Sequence, residues 1–138
     1  MVQLVLALML GVVANEAKPI DYEKAFAKAE REKKPLVILV GAKWCASCQI
    51  MKKETIEPMK QSGKLDKVVV TYVDKDNRPE LAEKLMRGAT LPQIVVYSKK
   101  SGSWKRYSLT GMQSPKRMTE LLARANGLKG SQVEQIVR

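Results

Sequence analysis

The chain has 138 residues, 45% of them hydrophobic, which is enough to bury the core of one compact domain and too few for several. It has two cysteines and no histidine, which excludes a Ser–His or Cys–His catalytic pair and a histidine-ligated metal. The formal charge is +11, but lysines alternate with acidic and apolar residues. This predicts a solvated basic surface that steers acidic partners at most, and no nucleic-acid partner.

An apolar segment, residues 2–14, precedes the first charged side chain, Glu16. It is too short for a transmembrane helix, which needs about 20 apolar residues, and it matches the hydrophobic region of a secretory signal peptide cleaved after Ala14. Only the terminal amine stands where such peptides carry Lys or Arg, so a buried N-terminal strand or helix is the alternative. We expect export to a bacterial periplasm or cell envelope, with membrane contact only through this segment if it stays uncleaved.

The first half of the domain predicts a helix, a buried strand and a second helix. Asp21 caps an amphipathic helix that ends before Pro35. Residues 36–40 (LVILV) form a continuous apolar run, typical of a strand buried on both faces. A helical pattern follows from Cys45 onward, and Pro58 is expected to kink or end that helix.

The second half predicts three strands and two helices. In chain order they are a buried strand at 68–73, a short helix at 79–87, a strand at 93–97, a turn at 99–103, an edge strand at 104–109 and a helix capped by Ser114. Strand–helix–strand connections favour parallel pairing, whereas the short turn between the last two strands predicts an antiparallel hairpin. We therefore predict an α/β domain at 19–128 with a central mixed four-stranded sheet flanked by helices, followed by a tail at 129–138.

The two cysteines form a Cys-x-x-Cys motif, WCASC at 44–48, where the buried strand hands over to a helix. Cys45 is expected at the helix N-terminus, where unpaired backbone N–H groups and the helix dipole lower the pKa of its thiol. Cys48 follows one turn later on the same face, within reach of a disulfide. The spacing predicts a redox pair in which Cys45 attacks a substrate disulfide and Cys48 releases the product.

The motif has three alternative interpretations. A zinc site needs two further nitrogen or sulfur ligands, and the chain has no third cysteine and no histidine. A purely structural disulfide would close too short a loop to stabilise the fold much. Binding of Cu(I) with Met51 or Met59, in a metallochaperone-type module, stays open as the second hypothesis. No resident metal or cofactor is expected.

Between Leu36 and Leu122 the sequence resembles the thioredoxin superfamily. The runs that carry the resemblance are LVILV, GAKWCASC, VVVTYVD and GATLPQIVVY followed by a hairpin. The resemblance implies a thioredoxin-like three-layer sandwich in which Pro92 is a cis-proline facing the cysteines. It also implies that Leu91 presents its backbone to a substrate peptide, and that Trp44 shields the disulfide and contributes to the docking surface. From the residues alone, Pro92 is a loop proline and Trp44 a packing aromatic.

The stretch WCASCQIMKKETIEP is similar to exported or membrane-tethered thioredoxin-like domains related to the C-terminal domain of the bacterial thiol:disulfide interchange reductase. This implies a protein that exchanges disulfides with protein or peptide thiols, with reduction slightly favoured, and that depends on an unidentified redox partner protein. We expect a monomer. Leu39 stands where thioredoxins carry a buried Asp, and Val70 where they carry its Lys. Proton transfer at Cys48 is therefore expected to involve water or other groups.

Overall fold

The computed structural model describes residues 20–128. The predicted signal peptide at 1–14 and the predicted tail at 129–138 lie outside the described residues, so both stay predictions. Inside the described range, none of the helices combines the length and apolar character needed to cross a membrane.

Helices and strands alternate through most of the domain. In chain order they are α1 (Tyr22–Glu32), β1 (Leu36–Gly41), α2 (Ala46–Met51), a π-helical segment (Lys52–Ile56), α3 (Glu57–Gln61), β2 (Val69–Asp74), α4 (Pro79–Leu85), β3 (Gln93–Lys100), β4 (Ser103–Thr110) and α5 (Pro115–Ala125). Two predicted helix caps are present, since Asp21 Oδ1 accepts from the Lys24 N–H at 3.0 Å and Ser114 Oγ from the Arg117 N–H at 3.2 Å.

The four strands form one mixed sheet in the order β2-β1-β3-β4. The strand β1 pairs parallel with β2 and antiparallel with β3, and β3 pairs antiparallel with β4. The predicted mixed sheet and its closing hairpin are confirmed. The strand β3 runs further than predicted, so the hairpin turn is shorter and centres on Ser101 and Gly102.

Side chains of β1 alternate between two apolar layers. Leu36, Ile38 and Val40 pack with α1 and α4. Val37 and Leu39 pack with α5 and with the continuous helix that α2, the π-helical segment and α3 form. This gives the three-layer arrangement that the sequence predicted. The strand β2 was expected to be buried, and this holds for every second residue only: β2 lies at the sheet edge, and the residues between are partly exposed. A β-branched run suits either place, and pairing alone decides between them.

The helix after the cysteines continues past Pro58 instead of ending there. The backbone widens into the π-helical segment, and Pro58 then occupies the first turn of α3, where its missing N–H matters least. Met51 and Ile56 stand one π turn apart, and both are buried in the core with Met59. The wider turn therefore keeps the apolar side chains of this helix on the sheet side.

Candidate active site

The predicted cysteine pair lies where β1 ends and α2 begins. Cys45 is the N-cap residue of α2, and its Sγ accepts a hydrogen bond from the Cys48 N–H at 3.2 Å. A disulfide joins the two residues, whose Cα atoms are 5.2 Å apart. The short segment from strand to helix therefore places the Cys45 sulfur at a backbone N–H that has no partner within the helix, and it holds the Cys48 sulfur within bonding distance of Cys45.

The two sulfurs differ in their surroundings. Cys45 keeps 6% of its surface exposed and has the Ser47 hydroxyl 3.3 Å from its Sγ, whereas Cys48 is fully buried. Cys48 packs tightly against β1, because a Cβ added to Gly41 would lie 3.1 Å from the Cys48 Sγ. An incoming substrate can therefore approach Cys45 and not Cys48.

Trp44 is one of the most exposed apolar side chains in the described domain, with 68% of its surface free. Its indole Nε1 donates to Asp76 Oδ2 at 2.7 Å, across the loop that follows β2. That loop is itself ordered by Asp74, whose Oδ1 accepts from the N–H groups of Asp76 and Asn77. The indole is therefore anchored at its nitrogen while most of its surface stays exposed. The sequence did not identify Asp76 as a site residue, because it is one of several polar residues in a turn.

The Leu91–Pro92 peptide bond is cis, and Pro92 is buried. Leu91 is half-buried and packs against the small cluster formed by Ala42 and the two cysteines. Leu91 therefore lies next to the cysteine motif in the fold, although the two are far apart in the sequence. The Pro92 carbonyl accepts a hydrogen bond from the Gly111 N–H at 2.8 Å. The residue after Gly111 is the exposed Met112.

The two positions at which thioredoxins carry an Asp and a Lys hold apolar side chains here. Leu39 is buried in the aliphatic core cluster and Val70 packs against that cluster, so no carboxyl–lysine pair occupies these positions. The methionines considered for Cu(I), Met51 and Met59, are buried in the same cluster, whereas the cysteines belong to a separate one. Across residues 20–128, no three cysteine, aspartate or glutamate side chains gather as a set of metal ligands.

Groups outside this motif have displaced pKa values. Burial, and secondarily the charge of Glu57, raises the pKa of Tyr72. A hydrogen bond from Arg78 lowers the pKa of Glu23 on the exposed surface between α1 and α4. Neither pair is hydrogen-bonded to a sulfur, and the groups that contact the Cys45 Sγ in this way are the Cys48 N–H and the Ser47 hydroxyl.

Comparisons with known proteins agree with this architecture. A family model described as thioredoxin-like matches residues 15–99. The chain belongs to the thioredoxin-like family. Chloroplastic thioredoxin z is 23% identical, with a TM-score of 0.63 over 78% of this chain and 92% of that one. A thioredoxin from Thermus thermophilus is 22% identical, with a TM-score of 0.61 over 83% of this chain and 82% of that one. These structural likenesses show the fold alone.

One curated relative is an uncharacterized protein of Caenorhabditis elegans, 33% identical over 91 residues. The match covers 62% of this chain and 12% of that protein, so the chain spans a small part of the length of this relative. A thioredoxin-like fold with a Cys45–Cys48 disulfide at a helix N-terminus is the arrangement of a thiol–disulfide oxidoreductase.

Proposed function

We propose that the protein reduces disulfides in exposed segments of other proteins or peptides. The observation that carries this is the unequal accessibility of the two sulfurs: Cys45 reaches the surface at the helix N-terminus, and Cys48 lies fully buried directly behind it. Such a pair has one sulfur that can meet a substrate and one that can meet only its neighbour. That division of roles is what an attacking and a resolving cysteine require.

In the first step the Cys45 thiolate attacks one sulfur of the substrate disulfide. The substrate S–S bond breaks, its second sulfur leaves as a thiolate, and Cys45 is joined to the first sulfur as a mixed disulfide. The Cys48 N–H and the Ser47 hydroxyl surround the Cys45 sulfur and can stabilise its negative charge. The leaving thiolate takes a proton from water.

In the second step the Cys48 thiol gives its proton to water, and the resulting thiolate attacks the Cys45 sulfur. The mixed disulfide breaks, the second substrate thiolate leaves, and the Cys45–Cys48 disulfide forms. Two electrons have then passed from the protein to the substrate. A dithiol donor must return two electrons before the next turnover, so a redox partner protein belongs to the proposal.

Protein and peptide substrates are favoured because exposed apolar side chains belong to both segments that form the candidate site. Trp44 is anchored beside Cys45 with most of its ring exposed, and Met112 is 51% exposed in the loop bonded to Pro92. By the resemblance, the main chain at Leu91 and Pro92 receives an extended substrate segment. Export, the preference for reduction and a monomeric state are part of the proposal and rest on the sequence pattern and its resemblance.

Single-cysteine variants test the function. We expect Cys45→Ser to abolish reduction of insulin disulfides by dithiothreitol, because the attacking sulfur is gone. Cys48→Ser should keep the first attack and accumulate mixed disulfides, which non-reducing mass spectrometry detects. Full activity in both variants would rule the proposal out. Equilibration with glutathione tests the direction: a reductant has a midpoint potential nearer about −270 mV, as in thioredoxin, than about −180 mV, as in protein disulfide isomerase.

A further inference from the structure

Gln93 is a buried polar side chain next to Pro92. Within the described domain four polar residues are buried, namely Thr55, Thr71, Gln93 and Ser98, and Gln93 is only 1% exposed. Burying a carboxamide is unfavourable unless its donors and acceptor are all used. The partners of Gln93 therefore show what its burial achieves.

Both the oxygen and the nitrogen of the Gln93 amide group form hydrogen bonds with the loop between α4 and Pro92. Its Oε1 accepts from the Arg87 N–H at 2.9 Å. Its Nε2 donates to the carbonyl of Arg87 at 2.9 Å and to that of Thr90 at 3.0 Å, and approaches the Gly88 carbonyl at 3.3 Å. One side chain thus bonds three of the four residues at 87–90.

That loop is otherwise open to solvent. All four residues at 87–90 are exposed, and Gly88 has a left-handed backbone, with φ of 73°, that glycine adopts without strain. Exposed loops are the more mobile parts of a domain unless something ties them down. Gln93, at the first position of β3, anchors this one from the core side.

The anchored loop leads directly into Leu91, which packs against the cysteine cluster. On the other side of Leu91, Pro92 is buried and bonded through its carbonyl to Gly111. Leu91 is therefore the single residue between the loop and this fixed point, and we expect a shift of residues 87–90 to move its main chain. We propose that Gln93 is a positioning residue: it holds the loop so that the main chain at Leu91 is ready to receive a substrate peptide. This rests on the proposed function, since it concerns how that substrate is held.

The test separates peptide binding from thiol chemistry. Gln93→Met keeps a similar volume without the hydrogen bonds, and Gln93→Glu keeps the shape but replaces the donors by an acceptor. Each is assayed with a peptide disulfide and with a small disulfide, 5,5′-dithiobis(2-nitrobenzoate), which needs no main-chain docking. The matched control is Thr71→Val, which removes another buried hydrogen bond, to the Ile20 carbonyl at 2.8 Å.

We expect both Gln93 variants to raise KM for the peptide by about tenfold, as the loss of one to two buried hydrogen bonds would. Both kcat and the rate with the small disulfide should stay within about twofold of the parent, and Thr71→Val should leave KM unchanged. An unchanged peptide KM in Gln93→Met would overturn the proposal, as would an equal loss with both substrates. The latter would mean that Gln93 acts on the sulfurs or on the fold as a whole.

A second measurement does not depend on turnover. Hydrogen exchange of the Arg87 amide, which is bonded to Gln93 Oε1, should accelerate at least about tenfold in Gln93→Met, while exchange in β1 stays unchanged. Unchanged exchange at Arg87 would overturn the anchoring role. If the parent protein reduces no peptide disulfide, the proposed function fails; the exchange result still decides whether Gln93 holds the loop.

Discussion

The candidate active site has two halves, which the chain builds in different ways. The cysteine half, residues 41–48, is one continuous segment, and its main hydrogen bond, Cys48 N–H to Cys45 Sγ, spans three positions. The proline half combines 87–93 with 111–113, joined by the bond from the Gly111 N–H to the Pro92 carbonyl. The latter segment is also held by Thr55, whose hydroxyl donates to the Gln113 carbonyl at 2.7 Å.

The difference separates chemistry from recognition. A strand end, a helix N-terminus and two sulfurs are sufficient for disulfide exchange, and all of them are local to the cysteine half. Placing a substrate main chain beside Cys45 needs segments that are distant in sequence, held by buried polar side chains. Substitutions in the cysteine half should therefore alter the redox equilibrium for every substrate, and those in the proline half should alter the KM of large substrates.

The largest effect in the cysteine half is expected from Gly41→Ala. The new methyl group would lie 3.1 Å from the Cys48 Sγ and 3.2 Å from its Cβ. Reduction lets the Sγ rotate away but leaves the Cβ contact, so only part of an overpacking cost of about 1 to 3 kcal/mol falls on the oxidised form, and the midpoint potential should rise by at most about 20 to 60 mV. Titration against glutathione measures the shift. An unaltered potential would contradict the tight packing of Cys48 on β1.

A smaller effect in the same half is expected from Ser47→Ala. The Ser47 hydroxyl lies 3.3 Å from the Cys45 Sγ, and in the reduced protein it can donate to the thiolate. Losing about 1 kcal/mol of this stabilisation should lower the midpoint potential by about 20 mV and slow alkylation of Cys45 by iodoacetamide up to about fivefold. Ser62→Ala, which removes a hydroxyl bonded to the Met59 carbonyl, is the control and should change neither value.

The smallest effect is expected from Asp76→Ala. This variant tests whether Trp44 contributes to the redox chemistry of the cysteines or to binding of the substrate. Without its carboxylate partner the indole is free to rotate, and we expect KM for a peptide disulfide to rise about two- to threefold. The rate with a small disulfide should not change. Asp76→Asn keeps an oxygen acceptor and should restore the parent KM. An equal loss with both substrates would assign Trp44 to the cysteine half instead.

The sequence was a good guide wherever a local pattern carries its own physical cause. Helix caps at Asp21 and Ser114, the buried strand β1 and the hairpin of β3 and β4 follow from capping chemistry, hydrophobic runs and turn residues. It was a poor guide where two placements satisfy the same pattern. A β-branched run such as β2 fits a central or an edge position, and Pro58 fits the end of a helix or the first turn after a π segment.

The sequence by itself predicted the chemistry that we propose for this protein, because two cysteines separated by two residues at a strand–helix junction need no distant partner to exchange disulfides. The resemblance also implied that Leu91 and Pro92 lie beside the cysteines, and the contact of Leu91 with the cysteine cluster agrees with this. The tertiary structure alone showed that Asp76 bonds to Trp44 and that Gln93 bonds to the loop before Pro92. The reason is physical: bonds across tens of residues form only when the sheet and its layers are packed, and no spacing in the chain records them.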